Sequence, residues 1–133
     1  MHIFRIAAVV ISAGLVVAGC AADPDRPARA QQTMVPVGQP QTCVDTVRIR
    51  STTVVDDRTI DFTMTDGTVL RNTMQNSCPG LGFEQAFSYS TSINRLCNVD
   101  IITVLNQGGG ISRGASCGLG MFVPVKPADA PAG

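Results

Sequence analysis

Three patterns of apolar and polar residues follow one another along the chain. Ile6 to Gly19 is uncharged and largely apolar, Ala21 to Gln41 ("AADPDRPARAQQTMVPVGQPQ") has no hydrophobic period, and from Val47 onward apolar and polar residues alternate. Val47 and Ile49 alternate with Arg48 and Arg50, and Ile60, Phe62 and Met64 with Asp61 and Thr63. A spacing of two belongs to a half-buried strand and not to a helix. Asp56-Asp57 and Asp66-Gly67 interrupt the pattern with turn residues, Gly67 being free to take positive φ. The stretch "VRIRSTTVVDDRTIDFTMTDGTVLRNTM" is therefore expected to form a three-stranded meander.

Beyond it the pattern changes. In "NSCPGLGFEQAFSYSTSINRLC" Pro79 and Gly80 break the alternation, and Phe83, Ala86 and Phe87 have helical spacing, which predicts a short helix or an ordered loop. Val99 to Leu105 is a nearly continuous apolar run, expected to be a strand buried on both faces. A flexible loop, "NQGGGISRGAS", separates it from "CGLGMFVPV", a last strand with Leu119, Met121 and Val123 on one face. The predicted fold is all-β and mainly antiparallel, a small five-stranded barrel or curled sheet with a short helical insert. An OB-like or an SH3-like connectivity is compatible with this order of elements.

The N-terminal pattern has a different origin. Arg5 and the amino terminus precede the uncharged run of fourteen residues, Ile6 to Gly19. As a helix that run reaches roughly 21 Å, short of the ~30 Å hydrocarbon core of a bilayer. A basic start, a short apolar run and small residues at its end are the layout of an export signal. Val17-Ala18-Gly19-Cys20 resembles the lipobox of bacterial lipoproteins, with Val17 where Leu is commoner. The resemblance implies cleavage before Cys20, a diacylglyceryl thioether on its sulfur and acylation of its new amino group. Several acyl chains anchor stably where one anchors marginally. Ala21, rather than Asp, follows the cysteine, which in enterobacterial-type sorting implies the outer membrane, facing the periplasm. Residues 1–19 are thus read as leader, 20–41 as lipidated cysteine and tether, 42–125 as the folded domain and 126–133 as a disordered tail. A tether of 21 residues extends to about 70 Å at most.

Composition narrows the chemistry. The chain carries ten basic and ten acidic residues, and loss of Arg5 with the leader leaves acidic residues in excess by one, so no nucleic-acid partner is implied. The only histidine, His2, leaves with the leader, which removes Ser-His-Asp and Cys-His arrangements. Lys126, the only lysine, lies in the tail. Glu84, the only glutamate, and Asp100 could share acid-base work if they faced one cleft; otherwise they are a helix-start and a strand-start residue. Gly108-Gly109-Gly110 lacks the Gly-Lys-Ser/Thr ending of a phosphate loop, so no nucleotide is expected. With no Cys-x-x-Cys pair, no metal and no cofactor are expected either.

Four cysteines remain for the domain, Cys43, Cys78, Cys97 and Cys117. A domain this small benefits from covalent staples, and an even number in an exported chain implies two disulfides. Three connectivities are possible. The pairing favoured from the predicted elements is Cys78 with Cys97, closing the helical insert on itself, and Cys43 with Cys117.

The succession of lipobox, Pro-rich tether, "DDRTIDF", "CPGLGF", "LC" and "CGLGMF" resembles small bacterial envelope domains of unknown function. The resemblance implies a fold and a location, and no activity. The leading expectation is a non-catalytic structural or partner-binding module, attached to the bilayer through acylated Cys20 and facing an envelope protein partner. An inhibitor of an envelope-attacking hydrolase such as lysozyme is the alternative, although the Ser-Gly-x-x-Tyr stretch of such inhibitors is missing; an enzyme is the third. For a binding surface, the loop Asn106 to Ser116 offers Ile111 and Arg113, and the predicted sheet face offers Arg48, Arg50 and Arg71, interleaved with aspartates.

Overall fold

A computed structural model describes residues 33–129. The expected leader, Cys20, most of the expected tether and the last four residues lie outside the described residues. In chain order the elements are β1 (Met34–Pro36), β2 (Cys43–Asp45), a 3-10 turn (Thr46–Arg48), β3 (Ile49–Val54), β4 (Thr59–Met64) and β5 (Val69–Thr73). They continue with α1 (Leu81–Glu84), β6 (Phe87–Tyr89), β7 (Arg95–Cys97), β8 (Ile101–Asn106), β9 (Ser112–Gly118) and β10 (Phe122–Pro127).

The meander forms as its alternation predicts. Antiparallel β3, β4 and β5 are joined at Asp56-Asp57 and Asp66-Gly67, where Gly67 has φ 88° and Asp66 Oδ1 accepts a hydrogen bond from the Thr68 amide at 2.9 Å. β10 and then β1 extend the sheet to the order β1-β10-β5-β4-β3. A second sheet has the order β6-β8-β9, and β2 pairs with β7 in a third of two strands. All pairings are antiparallel, and the sheets curl round a shared core without closing into a barrel. Phe62 of β4 stands at the centre of that core. Its ring meets Phe122 edge-on at 5.4 Å between centroids and Phe87 at 6.4 Å, joining the first sheet to the second. Ile60, Leu81, Leu96, Ile102 and Val104 belong to the same core, each fully buried.

The departures from the expected elements occur where the chain changes sheets. Val47, assigned to the first strand, lies in the 3-10 turn and is 75% exposed, because the chain there leaves the β2–β7 pair to begin β3. The run Val99 to Leu105 is buried on one face: Ile102 and Val104 face the core, while Val99 and Ile101 point outward. Only one side of the second sheet is covered by the first. The segment from Cys117 to Val125 is not one strand. β9 ends at Gly118 and β10 starts at Phe122 in the other sheet, so Leu119 and Phe122 are buried and Met121 is exposed. Of the expected flexible loop, residues 107–111 form the turn and Ser112–Gly118 is strand. The helix is shorter than the spacing suggested. It stops at Glu84, Phe83 is exposed, and Phe87 opens β6. At the two margins Met34–Pro36 pairs with β10, and β10 runs on through Lys126 to Pro127, so the sheet takes in residues assigned to tether and tail.

The disulfides join Cys43 to Cys97 and Cys78 to Cys117, which corrects the favoured pairing of Cys78 with Cys97 and Cys43 with Cys117. The reason is the register of strands distant in sequence. β2 and β7 place Cys43 directly opposite Cys97. Cys78, fully buried, meets Cys117 on the core face of β9, where Cys117 lies opposite buried Ile102. The insert is therefore stapled to its neighbours and not to itself.

Both Gly-rich motifs serve close packing. In "CPGLGF", Gly80 has φ 83° and the Gly82 amide donates to Asp57 Oδ1 at 2.7 Å, while the Cys78 amide donates to the Asp57 carbonyl at 2.6 Å. In "CGLGMF", a Cβ at Gly120 would collide with the Thr73 carbonyl oxygen.

Candidate functional site

The second sheet has one covered face and one open face, and the open face carries a hollow. β8 lies in the middle. Because Ile102 and Val104 turn inward, Ile101 and Thr103 turn outward. The register sets Ser88 of β6 and Ser116 of β9 on either side of Thr103, and the Thr103 and Ser116 hydroxyls are 3.0 Å apart. A groove of about 530 Å³ runs over this face, bordered by Ser88, Tyr89 and Ser90, by Val99 to Ile101, and by Thr103 and Arg113. Val99 is 80% and Ile101 58% exposed, so its floor combines apolar area with hydroxyl groups.

Arg113 is the charged donor of this groove, and most other arginines of the fold are already engaged. Arg71 pairs with Asp61 through two hydrogen bonds of 2.8 Å, Arg48 with Asp66 at 3.3 Å, and Arg95 with Asp45 at 3.6 Å. Arg58 donates to the carbonyls of Met74 and Gln75. Arg113 makes no ion pair with a described residue. A second hollow of about 230 Å³ holds Arg48 and Arg95 together with their partners Asp66 and Asp45, so its charges are already matched. A third of about 460 Å³ beside Cys117 is bordered by no charged side chain.

No protein-family model matches this chain, and neither a curated protein nor a solved structure matches it. The site must be read from its own residues.

The structure brings only part of the expected site together. Arg113 borders the groove, whereas Ile111, 79% exposed, sits in the preceding turn and does not line it. Arg48, Arg50 and Arg71 do not form a joint anion site. Arg71 is held by Asp61 on the outer face of the first sheet, and the Asp61 hydrogen bonds raise its guanidinium pKa further. Arg48 belongs to the 3-10 turn, and Arg50 is the extra residue of a bulge in β3. Glu84 and Asp100 lie at opposite ends of β8. Glu84 Oε2 accepts the Gln107 amide at 2.9 Å, just after the strand, and Asp100 Oδ2 accepts the Cys97 amide at 2.6 Å, just before it. Six strand residues at about 3.3 Å each hold these anchor points roughly 20 Å apart, too far for two carboxylates to share a substrate. Among the described residues no group of three or more His, Cys, Asp or Glu is placed to hold a metal ion.

Sequence reasoning missed Ser88, Tyr89, Ser90 and Thr103. A signal for the first three was present. "FSYS" has a period of two, but the helical spacing of Phe83, Ala86 and Phe87 masked it.

Proposed function

We propose that this chain is a lipid-tethered, non-catalytic binding module of a bacterial cell envelope, engaging an envelope component through the groove at Arg113. The observation that carries the binding role is an arginine without an ion-pair partner among the described residues, bordering a groove that exposed Val99 and Ile101 also line. A desolvatable cation beside apolar area favours an anionic partner over water. The lipobox resemblance at Val17 to Cys20 and the likeness of the whole layout to small envelope domains support the tether, and Ala21 after the cysteine supports the outer-membrane location. The separation of Glu84 from Asp100, each already accepting a backbone amide, supports a role without catalysis.

Three measurements test this reading. Labelling with a fatty-acid analogue is expected to mark the wild type and not Cys20→Ser; an unlabelled wild type cleaved elsewhere would remove the tether. A pull-down from solubilised envelope is expected to retain a component that Arg113→Glu loses. Identical retained material would remove the groove, and turnover of an envelope substrate abolished by Glu84→Gln or Asp100→Asn would overturn the non-catalytic reading.

A further inference from the structure

We infer that the groove on the second sheet is a saccharide site, and that Arg113 reads a carboxylate carried by the sugar chain. The inference rests on the binding role proposed for this groove and names its ligand class. It follows from which groups border the groove together. Arg113 presents only donors, in a fork suited to a carboxylate. Ser88, Ser90 and Thr103 are hydroxyls, able to donate and to accept. Asp100 presents only acceptors, and the Cys97 amide occupies Oδ2, which leaves Oδ1 for a ligand donor. Val99 and Ile101 supply apolar area between these groups.

A bare phosphate or sulfate would take Arg113 alone and leave the hydroxyls and the Asp100 acceptor of this wall unused. A neutral sugar would satisfy the hydroxyls and Asp100 but leave the guanidinium unmatched. A carboxylated sugar satisfies all of them: its hydroxyls donate to Asp100 Oδ1 and exchange hydrogen bonds with the serines and Thr103. Its carboxylate takes Arg113, and the C–H face of its ring lies on Ile101. An acidic peptide is the rival occupant. Peptides that dock on sheets do so mainly by adding a strand to an edge. Here β6 offers an edge of three residues, and β9 is irregular between the partners of Thr103 and Leu105. The volume, about 530 Å³, is that of a small-ligand site and not of a protein interface.

The test is fluorescence polarisation of the full chain in detergent with fluorescein-labelled trigalacturonate, competed by three unlabelled probes. Unlabelled trigalacturonate carries hydroxyls and carboxylates, its methyl ester hydroxyls alone, and triglutamate carboxylates without sugar hydroxyls. Trigalacturonate is expected to compete at least about tenfold better than either of the others, and Arg113→Ala to weaken the labelled probe by about tenfold or more. Ser88→Ala, which removes one groove hydroxyl and no charge, is expected to weaken it less, with an unchanged unfolding midpoint. Absence of saturable binding overturns the inference, as does an ester that competes equally. Triglutamate competing equally also overturns it and assigns the groove to acidic peptides. If Arg113→Glu loses envelope material while trigalacturonate fails to bind, the saccharide class is refuted and the binding module stands. If the retained material is also unchanged, both are refuted.

Discussion

Asn72 faces the core from β5 with no exposed surface, and its amide supplies Gly120 with the two hydrogen bonds a neighbouring strand would give. Nδ2 donates to the Gly120 carbonyl at 2.7 Å, and Oδ1 accepts from the Gly120 amide at 2.8 Å. This pair holds the bend at which the chain leaves β9 for β10. Asn72→Ala leaves the partly buried Gly120 amide and carbonyl without their partner, and an unsatisfied buried group costs about 1–3 kcal/mol, so a loss of about 1–3 kcal/mol is expected in urea unfolding. Gly120→Ala is expected to be at least as damaging, since its Cβ meets the backbone of Thr73 and not a movable side chain. A loss below about 1 kcal/mol in both variants would mean that the bend relaxes and the pair is dispensable. Asp66 gives a second residue-scale expectation. The Thr68 amide and hydroxyl, and then Arg48, hold its carboxyl below the usual carboxylate range. A lowered carboxylate pKa stabilises the fold above the unfolded value and loses that contribution as pH falls through the folded one. Asp66→Asn is therefore expected to be less stable than wild type at neutral pH and to converge with it in acid. A difference that persists in acid would point to turn geometry in place of charge. The turn at Asp66-Gly67 was legible in the sequence; the role of Asn72 was legible only as an anomaly, a polar side chain in phase with buried Leu70.

At the scale of the element, the sequence was informative wherever a strand has one wet and one dry face for its whole length. β4 is the clearest case, with Ile60, Phe62 and Met64 buried and the residues between them partly exposed. It misled wherever a run of apolar residues crosses from one sheet to another. Val47, Val99 and Met121 are apolar and exposed for that reason, since local spacing carries no information about which distant sheet covers a face. The groove was half legible: Arg113 could be singled out as a cation near glycines, but its neighbours come from β6 and β8 through long-range register. The same reasoning reassigns Arg50. β3 is a six-residue edge strand with four consecutive exposed residues, an open template for another chain. Arg50 stands at its bulge, between Ile49 opposite Met64 and Ser51 opposite Thr63. A bulge and a charge are the two devices that blunt such an edge. Arg50→Val is expected to shift sedimentation toward dimers or larger species at concentrations where the wild type does not self-associate. Sedimentation identical to wild type would leave the bulge alone as the protection.

Across the whole molecule, the two disulfides overlap in sequence, so that neither closes a loop independent of the other. Cys43–Cys97 spans 54 residues and Cys78–Cys117 spans 39, and chain entropy gives each about 4 kcal/mol. Domains of this size are stable by about 5–15 kcal/mol in total, so loss of one staple is a large fraction and loss of both approaches the whole. The existence of two bridges could be inferred from an even cysteine number and the expectation of export; their connectivity could not, because it depends on β2 meeting β7 across the chain. Peptide mapping without reduction is expected to recover Cys43 with Cys97 and Cys78 with Cys117. The bridges also frame the groove. Cys97 opens the turn that ends at Asp100, where the Asp100 amide donates to the Cys97 carbonyl at 3.0 Å and the Cys97 amide returns a hydrogen bond to the Asp100 side chain. Cys117 lies on β9, which carries Arg113 on the other side. Replacing Cys43 and Cys97 by Ala is therefore expected to cost about 4 kcal/mol and to speed hydrogen exchange at Val99 to Ile101 while leaving β4 and β5 protected. Exchange that rises uniformly across β4, β5 and β8 would show that the staple stabilises the fold as a whole and has no particular part in shaping the groove.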